Sequence, residues 1–370
     1  MIGLNINIEY KNENGEYPIF FNKIKNKKIA VVFDINTQSF AFELIEKMEK
    51  IGAIVAKIAF QDKDLIPDEY VCEKTKNESK NSDYLLAVGS GSLNDVAKYV
   101  STKLNIECGV LATAASMDGY CSKGSAVMKG GFKVTEDVHM PSDVLIDLEI
   151  VRNAPKLMTA SGFGDIIGKF TCLTDWQMAH FVNGEEIDEK AFSLMEKARS
   201  ECMEAFEDLT QYKGEAIAKL MNALITAGLS MAICGNSRPA SGSEHHVSHF
   251  LEMDFVRRKE RVPLHGVKVA IGTLISIELY NYLKDNKISF NGADEVYKLA
   301  ENLPSVAKIK EMLQRMGCPV RFSEIGVRKE TMEEMIEKAY TVRNRYTVLT
   351  LTHDLGLTDK IKPLIMEKYF

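Results

Sequence analysis

Four of the seven histidines in this 370-residue chain fall between positions 245 and 265: His245, His246, His249 and His265. Residues four apart share a helix face. His245 and His249 therefore present two imidazoles side by side, good geometry for a metal ligand and a neighbouring polar group. His246 is turned about 100° away on an ideal helix, which favours His245 of the adjacent pair. His265-Gly266 begins another helix, and Gly162-Phe163-Gly164-Asp165 upstream offers a carboxylate. Two imidazoles and one carboxylate with open coordination positions suit Zn²⁺, Ni²⁺ or Fe²⁺. Scattered surface histidines would not gather four of seven in one stretch.

Two further segments carry small polar residues in suggestive places. Gly89-Ser90-Gly91-Ser92-Leu93-Asn94-Asp95 lies between a strand and a helix. Glycines there let the backbone approach a ligand, and the free N–H groups of the following helix suit a pyrophosphate. It is neither G-x-G-x-x-G, because Asn94 holds the third position, nor a P-loop, so an ordinary tight turn remains the competing reading. Thr113-Ala114-Ala115-Ser116-Met117-Asp118-Gly119-Tyr120-Cys121-Ser122 follows the next strand, at the sheet edge where ligands of parallel sheets bind. Its hydroxyls can bond ribose, phosphate or amide, while Asp118 before a glycine can simply make a turn. Arg238, just ahead of the histidine helix, is either a solvated charge or a phosphate anchor. Ser241 or Ser243 is a candidate cap for that helix.

These groups must be positioned by the rest of the chain, which reads as two domains. Apolar residues make up 45% and charged residues 26%, a globular composition that excludes a disordered chain or a disulfide miniprotein. With 46 basic against 52 acidic residues and a net charge of -6, nucleic acid is not the expected main partner. No run of about 18 apolar residues reads as a membrane span, and Met1-Ile2-Gly3-Leu4-Asn5 lacks a signal-peptide layout. Seven cysteines without a C-x-x-C pair suit reduced thiols in a cytosol.

Through residue 154, strands expected at 28–34, 53–60, 84–88, 109–112 and 143–147 alternate with helices at about 39–51 and 93–104. That predicts a Rossmann-like parallel sheet. A small hairpin turning at Asn14-Gly15 is expected before Phe21, and a surface hairpin between Tyr120 and Pro141. From 155 to 370 helical patterns follow one another at about 156–183, 187–211, 215–234, 243–257, 265–284, 293–302, 305–316 and 330–350. The expectation is a nucleotide-binding α/β domain at 1–154 and an all-helical domain at 155–370.

Taken together, G-S-G-S-L-N-D-V-A-K (89–98), T-A-A-S-M-D-G-Y-C-S (113–122), G-F-G-D-I-I-G-K (162–169), D-W-Q-M-A-H (175–180), S-R-P-A-S-G-S-E-H (237–245) and L-H-G (264–266) resemble the sn-glycerol-1-phosphate dehydrogenase family. That family lies within the iron-containing alcohol dehydrogenase and dehydroquinate synthase-like superfamily. The resemblance runs over nearly the whole chain, and S-R-P-A-S-G-S-E-H is its specific block. The chain departs from the family pattern in reading Gly-Ser-Gly at the turn and in carrying His246 directly after His245.

The resemblance implies that Asp165, His245 and His265 hold one divalent metal, Zn, Ni or Fe. It implies that Gly89, Ser90, Gly91, Ser92 and Asp95 wrap the pyrophosphate of NAD(P)(H). Thr113, Ser116 and Ser122 would contact the rest of that cofactor, and Asp118 and His249 the substrate. Asp34, ending the first strand, sits where an acid accepts from adenosine ribose hydroxyls. The implied reaction is reduction of dihydroxyacetone phosphate to sn-glycerol 1-phosphate in the cleft between the domains. The metal would polarise the C2 carbonyl, nicotinamide would deliver hydride, and a proton would arrive through His249 or water. A cytoplasmic homo-oligomer, dimeric or larger, is expected. Glycerol dehydrogenase is the nearest rival, since it needs no phosphate anchor. Dehydroquinate synthase is a further one, but its first metal ligand is Glu where this chain has Asp165.

Overall fold

The apolar run Lys28-Ile29-Ala30-Val31-Val32-Phe33-Asp34 can satisfy its backbone and bury both faces only as an interior strand. It does so in the computed structural model, which describes residues 5–370. The segment Met1-Ile2-Gly3-Leu4, read above for a targeting signal, lies outside the described residues.

The chain divides into two units. The first comprises residues up to Ala115, Gly119–Pro155 and Tyr212–Ala218. Its sheet contains β1 (Asn7–Tyr10), β2 (Lys28–Asp34), β3 (Ile54–Phe60), β4 (Tyr84–Gly89), β5 (Glu107–Ala112) and β8 (Asp143–Ile146). These are all parallel, in the order β1-β8-β5-β4-β2-β3. β6 (Gly124–Lys129) and β7 (Phe132–Asp137) form the surface hairpin expected there. The turn expected at Asn14-Gly15 forms, with the Gly15 N–H donating to the Asn12 carbonyl at 2.9 Å, but no second strand follows it. β1 pairs in parallel with β8 instead, and Pro18–Ile24 is a helix. Proline at the start of a helix loses no hydrogen bond, and Phe20, Phe21 and Ile24 give that helix a buried face. They pack with Ile29, Val31, Phe33, Leu44, Ile45, Met48, Tyr84 and Leu86 into one core.

The second unit comprises Ser116–Asp118, Lys156–Gln211 and Lys219–Phe370. Apart from that first short segment it is helical. The pattern read as one helix over 156–183 is two, Lys156–Ile167 and Lys169–Asn183, broken at Gly168. The pattern over 330–350 is also interrupted. Lys329–Lys338 gives way to a 3₁₀ turn at Ala339–Thr341, then to a loop, and Val348–Asp354 resumes. Arg343 and Arg345 stand on that loop. A last helix, Thr358–Tyr369, lacked a readable pattern, with Pro363 inside it. Gly214–Cys234 is long and apolar enough to cross a membrane, but Ile217, Leu220, Met221, Leu224 and Ile225 along it are buried in protein core. All seven cysteines are free thiols, and all but Cys234 are buried.

Candidate metal centre and cofactor crevice

In the helical unit, Lys156–Ile167 and His265–Asp285 cross with almost no separation. A Cβ on Gly266 would stand 1.8 Å from the Ser161 carbonyl oxygen, and one on Gly164 would stand 2.5 Å from the Gly266 carbonyl oxygen. Only glycines permit this approach. It brings their chain neighbours, Asp165 and His265, into one place, so G-D and H-G are packing motifs as well as ligand motifs. The helix Ser243–Arg258 adds His245. Its N-cap is Gly242, with no side-chain cap bond. Ser243 Oγ donates to Ser276 Oγ instead, and Asp175 accepts the Ser243 N–H at 2.6 Å, so neither expected serine caps.

Asp118, Asp165, His245 and His265 each offer one donor atom, and the four atoms lie within 4.8 Å of one another. His245 Nε2 is 3.7 Å from Asp165 Oδ1, and His265 Nε2 is 4.0 Å from Asp165 Oδ2. A divalent ion about 2.0–2.2 Å from each donor separates tetrahedral ligands by about 3.3–3.6 Å. These two pairs are within a few tenths of an ångström of that spacing, and the widest of the four donors would close by up to about 1 Å on one ion. Burial, then the neighbouring Lys169 charge, holds His245 well below the usual histidine range. Burial, then His249, pushes His265 down to about 3. Both imidazoles are therefore neutral at neutral pH, the form a metal needs.

Residues around the donors fix them. Glu244 Oε1 accepts from His245 Nδ1 at 2.7 Å and from the Gly242 N–H at 2.6 Å, while Oε2 accepts from Thr171 Oγ1 at 2.7 Å. The proton thus sits on His245 Nδ1, leaving Nε2 with its lone pair toward Asp165. Burial, then Asp175, raises Glu244 to about 7. Lys169, fully buried, donates to Asp118 Oδ2 at 2.5 Å, Asp165 Oδ1 at 3.0 Å and the Ala240 carbonyl at 2.8 Å. Burial opposes its charge, but Asp118 and Asp165 outweigh burial and hold it above the usual lysine range.

Among the expected residues, Asp165, His245 and His265 come together. Asp118, expected at the substrate, joins them and binds Asp165 Oδ2 through its own N–H at 3.0 Å. His249 stands beside the cluster, its ring centroid 6.1 Å from that of His245 and 5.9 Å from that of His265. His246 lies outside the cluster, wholly buried, with neither ring nitrogen hydrogen-bonded. Arg238, expected as a phosphate anchor, is engaged by protein groups. The residue is 2% exposed, ion-paired to Glu185 at 2.9 Å, and donates to the carbonyls of Asp175 and Tyr346. It also lines a cleft shared with Glu185, Arg343 and Arg345.

In the sheet unit, β2 leads to β3 on one side and β4 to β5 on the other, so the topology switches between β2 and β4. Ligands of such sheets bind outside the carboxyl ends at that point. Phe33 pairs with Val88 and Ala112 with Gly89, which places Asp34, the glycine turn and Thr113 on three adjacent strand ends. The helix Gly91–Leu104 begins inside the turn, with Ser90 as N-cap accepting from the Gly91 N–H at 2.6 Å. Ser92 is exposed in its first turn. A Cβ on Gly89 would meet Leu93 Cδ1 at 2.4 Å, so that glycine also serves the helix's own packing.

Other expected cofactor residues are occupied locally. Asp34 Oδ1 accepts from the N–H groups of Asn36 and Thr37. Asp95 faces Lys98 at 3.2 Å. Ser122 Oγ bonds Gly119 O, Gly124 O and the Lys98 ammonium. Ser116 groups with the helical unit, where its carbonyl accepts from Ser161 Oγ. Lys169, Glu244, Arg343 and Arg345 carried no expected role. Lys169 was legible as the i+4 neighbour of Asp165, and Glu244 as the residue before His245. The two arginines lie far along the chain and had no local signal.

The chain carries a parallel sheet with this switch point and a helical unit holding a His/Asp cluster, and residues 10–155 match the iron-containing alcohol dehydrogenase family. The iron-containing alcohol dehydrogenase of Thermococcus thioreducens has the same fold, with a TM-score of 0.74 at 18% identity over 100% of this chain and 99% of that one. Glycerol dehydrogenase from Schizosaccharomyces pombe superposes with a TM-score of 0.68 at 18% identity, over 95% and 87%. Sequence relatives are more specific. Glycerol-1-phosphate dehydrogenase [NAD(P)+] of Bacillus licheniformis is 32% identical over 92% of this chain and 86% of its own length, and that of Pyrococcus horikoshii 31% identical over 89% and 88%. The chain belongs to the glycerol-1-phosphate dehydrogenase family, as its motifs implied.

Proposed function

We propose that this protein is a metal-dependent, NAD(P)-linked dehydrogenase that reduces dihydroxyacetone phosphate to sn-glycerol 1-phosphate and runs the reverse reaction. The observation that carries the reading is the four-donor cluster of Asp118, Asp165, His245 and His265 in a chain of this family. A divalent ion bound there, Zn, Ni or Fe, supplies Lewis-acid polarisation of a carbonyl oxygen, and the nicotinamide supplies hydride.

The protein's own residues do the rest. Asp165, His245 and His265 would hold the ion, and Glu244 fixes the His245 tautomer that leaves its Nε2 lone pair free for it. Lys169 balances the carboxylates, so that one ion does not face two unneutralised acids. At the sheet, the first turn of Gly91–Leu104 offers N–H groups to the cofactor pyrophosphate, with Ser90, Gly91 and Ser92 alongside. Asp34 would accept from the adenosine ribose, and Thr113 and Ser116 would contact the remainder of the cofactor. His249 Nε2 accepts from Arg343 Nη2 at 3.1 Å. That puts the His249 ring proton on Nδ1, 3.6 Å from Glu252 Oε2, and the proton for the C2 oxygen would arrive through His249 or water.

The test is the product. Purified protein should convert dihydroxyacetone phosphate and NADH or NADPH into the sn-glycerol 1-phosphate enantiomer, read by chiral analysis. Formation of sn-glycerol 3-phosphate, or reduction of dihydroxyacetone only, overturns the proposal.

A further inference from the structure

The loop between Ala339–Thr341 and Val348–Asp354 carries Arg343 and Arg345 to the flank of the histidine cluster. Arg343 Nη2 donates to His249 Nε2 at 3.1 Å, and its Nη1 to Ser237 Oγ at 3.1 Å. Arg345 Nη2 donates to the same Ser237 hydroxyl at 2.9 Å, and its Nη1 to the Ser241 carbonyl. Every one of these acceptors is uncharged. Among the described residues, no carboxylate pairs with either guanidinium, although most other partly buried arginines here have one. Arg238 has Glu185, and Arg258 has Asp254.

Two partly buried cations share one hydroxyl, and Asp118, Glu252 and Glu185 act on them without a direct ion pair, so an anion placed between them would be favoured. Beside them, both ring nitrogens of the wholly buried His246 and the buried Ser241 Oγ lack partners. A cleft of about 860 Å³ is lined by Arg343, Arg345 and Arg238, with Glu185 its only acid. Its balance is cationic in a protein of net charge -6. A single imidazole, His249, separates Arg343 from the metal ligands. The phosphate of a three-carbon ketose ester is set off from its carbonyl carbon by only a methylene and an ester oxygen.

We propose that Arg343 and Arg345, bridged by the Ser237 hydroxyl, receive the substrate's phosphate and set the preference for a phosphorylated over an unphosphorylated triose. This rests on the dehydrogenase reading and names the specificity-determining residues of that same site. The paired guanidinium forks match a dianionic phosphate with charge-assisted bonds. An unphosphorylated triose leaves both cations as they stand.

The experiment compares wild type with Arg343→Met, Arg343→Lys and Arg345→Met. KM and kcat are measured for dihydroxyacetone phosphate and dihydroxyacetone, with NADH and with NADPH, together with competitive inhibition by inorganic phosphate. Arg343→Met should raise KM for the phosphate ester about 10- to 100-fold, as loss of one charge-assisted bond does. It should weaken phosphate inhibition in parallel and leave KM for dihydroxyacetone within about threefold. Arg343→Lys should recover part of the loss, and it serves as the readout if the methionine variant does not fold. Arg345→Met should act in the same direction. A wild type indifferent to the phosphate group refutes the dehydrogenase reading itself. A wild type that prefers the phosphate ester, with variants that keep its ratio of efficiencies, refutes this inference alone. So does an equal fall in kcat/KM for both trioses in Arg345→Met, which touches Ser237 and Ser241 rather than His249, or a loss confined to NADPH, which would assign the arginines to the cofactor.

Discussion

Replacing Glu244 by Gln keeps the shape of the side chain and removes its charge from His245. Gln Oε1 can still accept from the Gly242 N–H and His245 Nδ1, and Thr171 Oγ1 can rotate to accept from the new amide. The fold is therefore expected to survive. What is lost is the charge on a buried 2.7 Å hydrogen bond to a metal-ligating imidazole. A hydrogen bond to a charged group contributes about 1.5–3 kcal/mol, which corresponds to about 10- to 100-fold in metal affinity. That range also matches the usual effect of removing such an orienting partner. The assay is competition with a chromophoric chelator at pH 8, where Glu244, raised to about 7, is ionised in the wild type. The difference between wild type and variant should shrink toward pH 6, because the wild-type carboxyl is then protonated like the amide. Equal metal affinity at pH 8 in a folded variant refutes the orienting role.

Acid should destabilise the metal-free protein. His246 and His265, pushed down to about 3, stay neutral when folded but charge below 6.5 when unfolded. Their contribution is full above pH 6.5 and falls as pH drops toward 3. At pH 5 the pair loses about 4 kcal/mol, while Glu244, raised to about 7, gains about 2 kcal/mol over the same range. Urea midpoints at pH 7.5 and 5.0 check this, and a midpoint unchanged or higher at pH 5.0 contradicts it. Gly266→Ala, which drives a Cβ against the Ser161 carbonyl, should cost at least about 3 kcal/mol in thermal unfolding of the metal-free protein. Arg238→Met should lower stability by about 2 kcal/mol and leave KM for dihydroxyacetone phosphate nearly unchanged. A large KM rise would restore Arg238 as the anchor.

Local pattern was enough for the parallel strands, because a strand buried on both faces must be a continuous apolar run between turn residues. It was enough for Asp165, His245 and His265, because helical spacing and clustering are written in the chain. It was half right at Asn14-Gly15, where the turn forms but the chain then enters the helix Pro18–Ile24 while Asn7–Tyr10 pairs with Asp143–Ile146, more than a hundred residues away. It failed over 330–350, where the periodicity hides a loop, and with that loop went Arg343 and Arg345. Arg238 shows what a motif alone leaves out. An arginine in a motif looks available until Glu185 and two carbonyls, distant in sequence, are seen to occupy it.

The central claim is that one divalent ion held by this cluster is required for reduction of a phosphorylated triose. The direct measurement is NADH and NADPH oxidation with dihydroxyacetone phosphate by protein stripped with a chelator, then titrated with Zn²⁺, Ni²⁺ or Fe²⁺. Activity should vanish on stripping and return in proportion to one bound ion per chain, and Asp165→Ala should neither bind that ion nor regain activity. Full turnover by stripped protein, or by Asp165→Ala, would contradict the account.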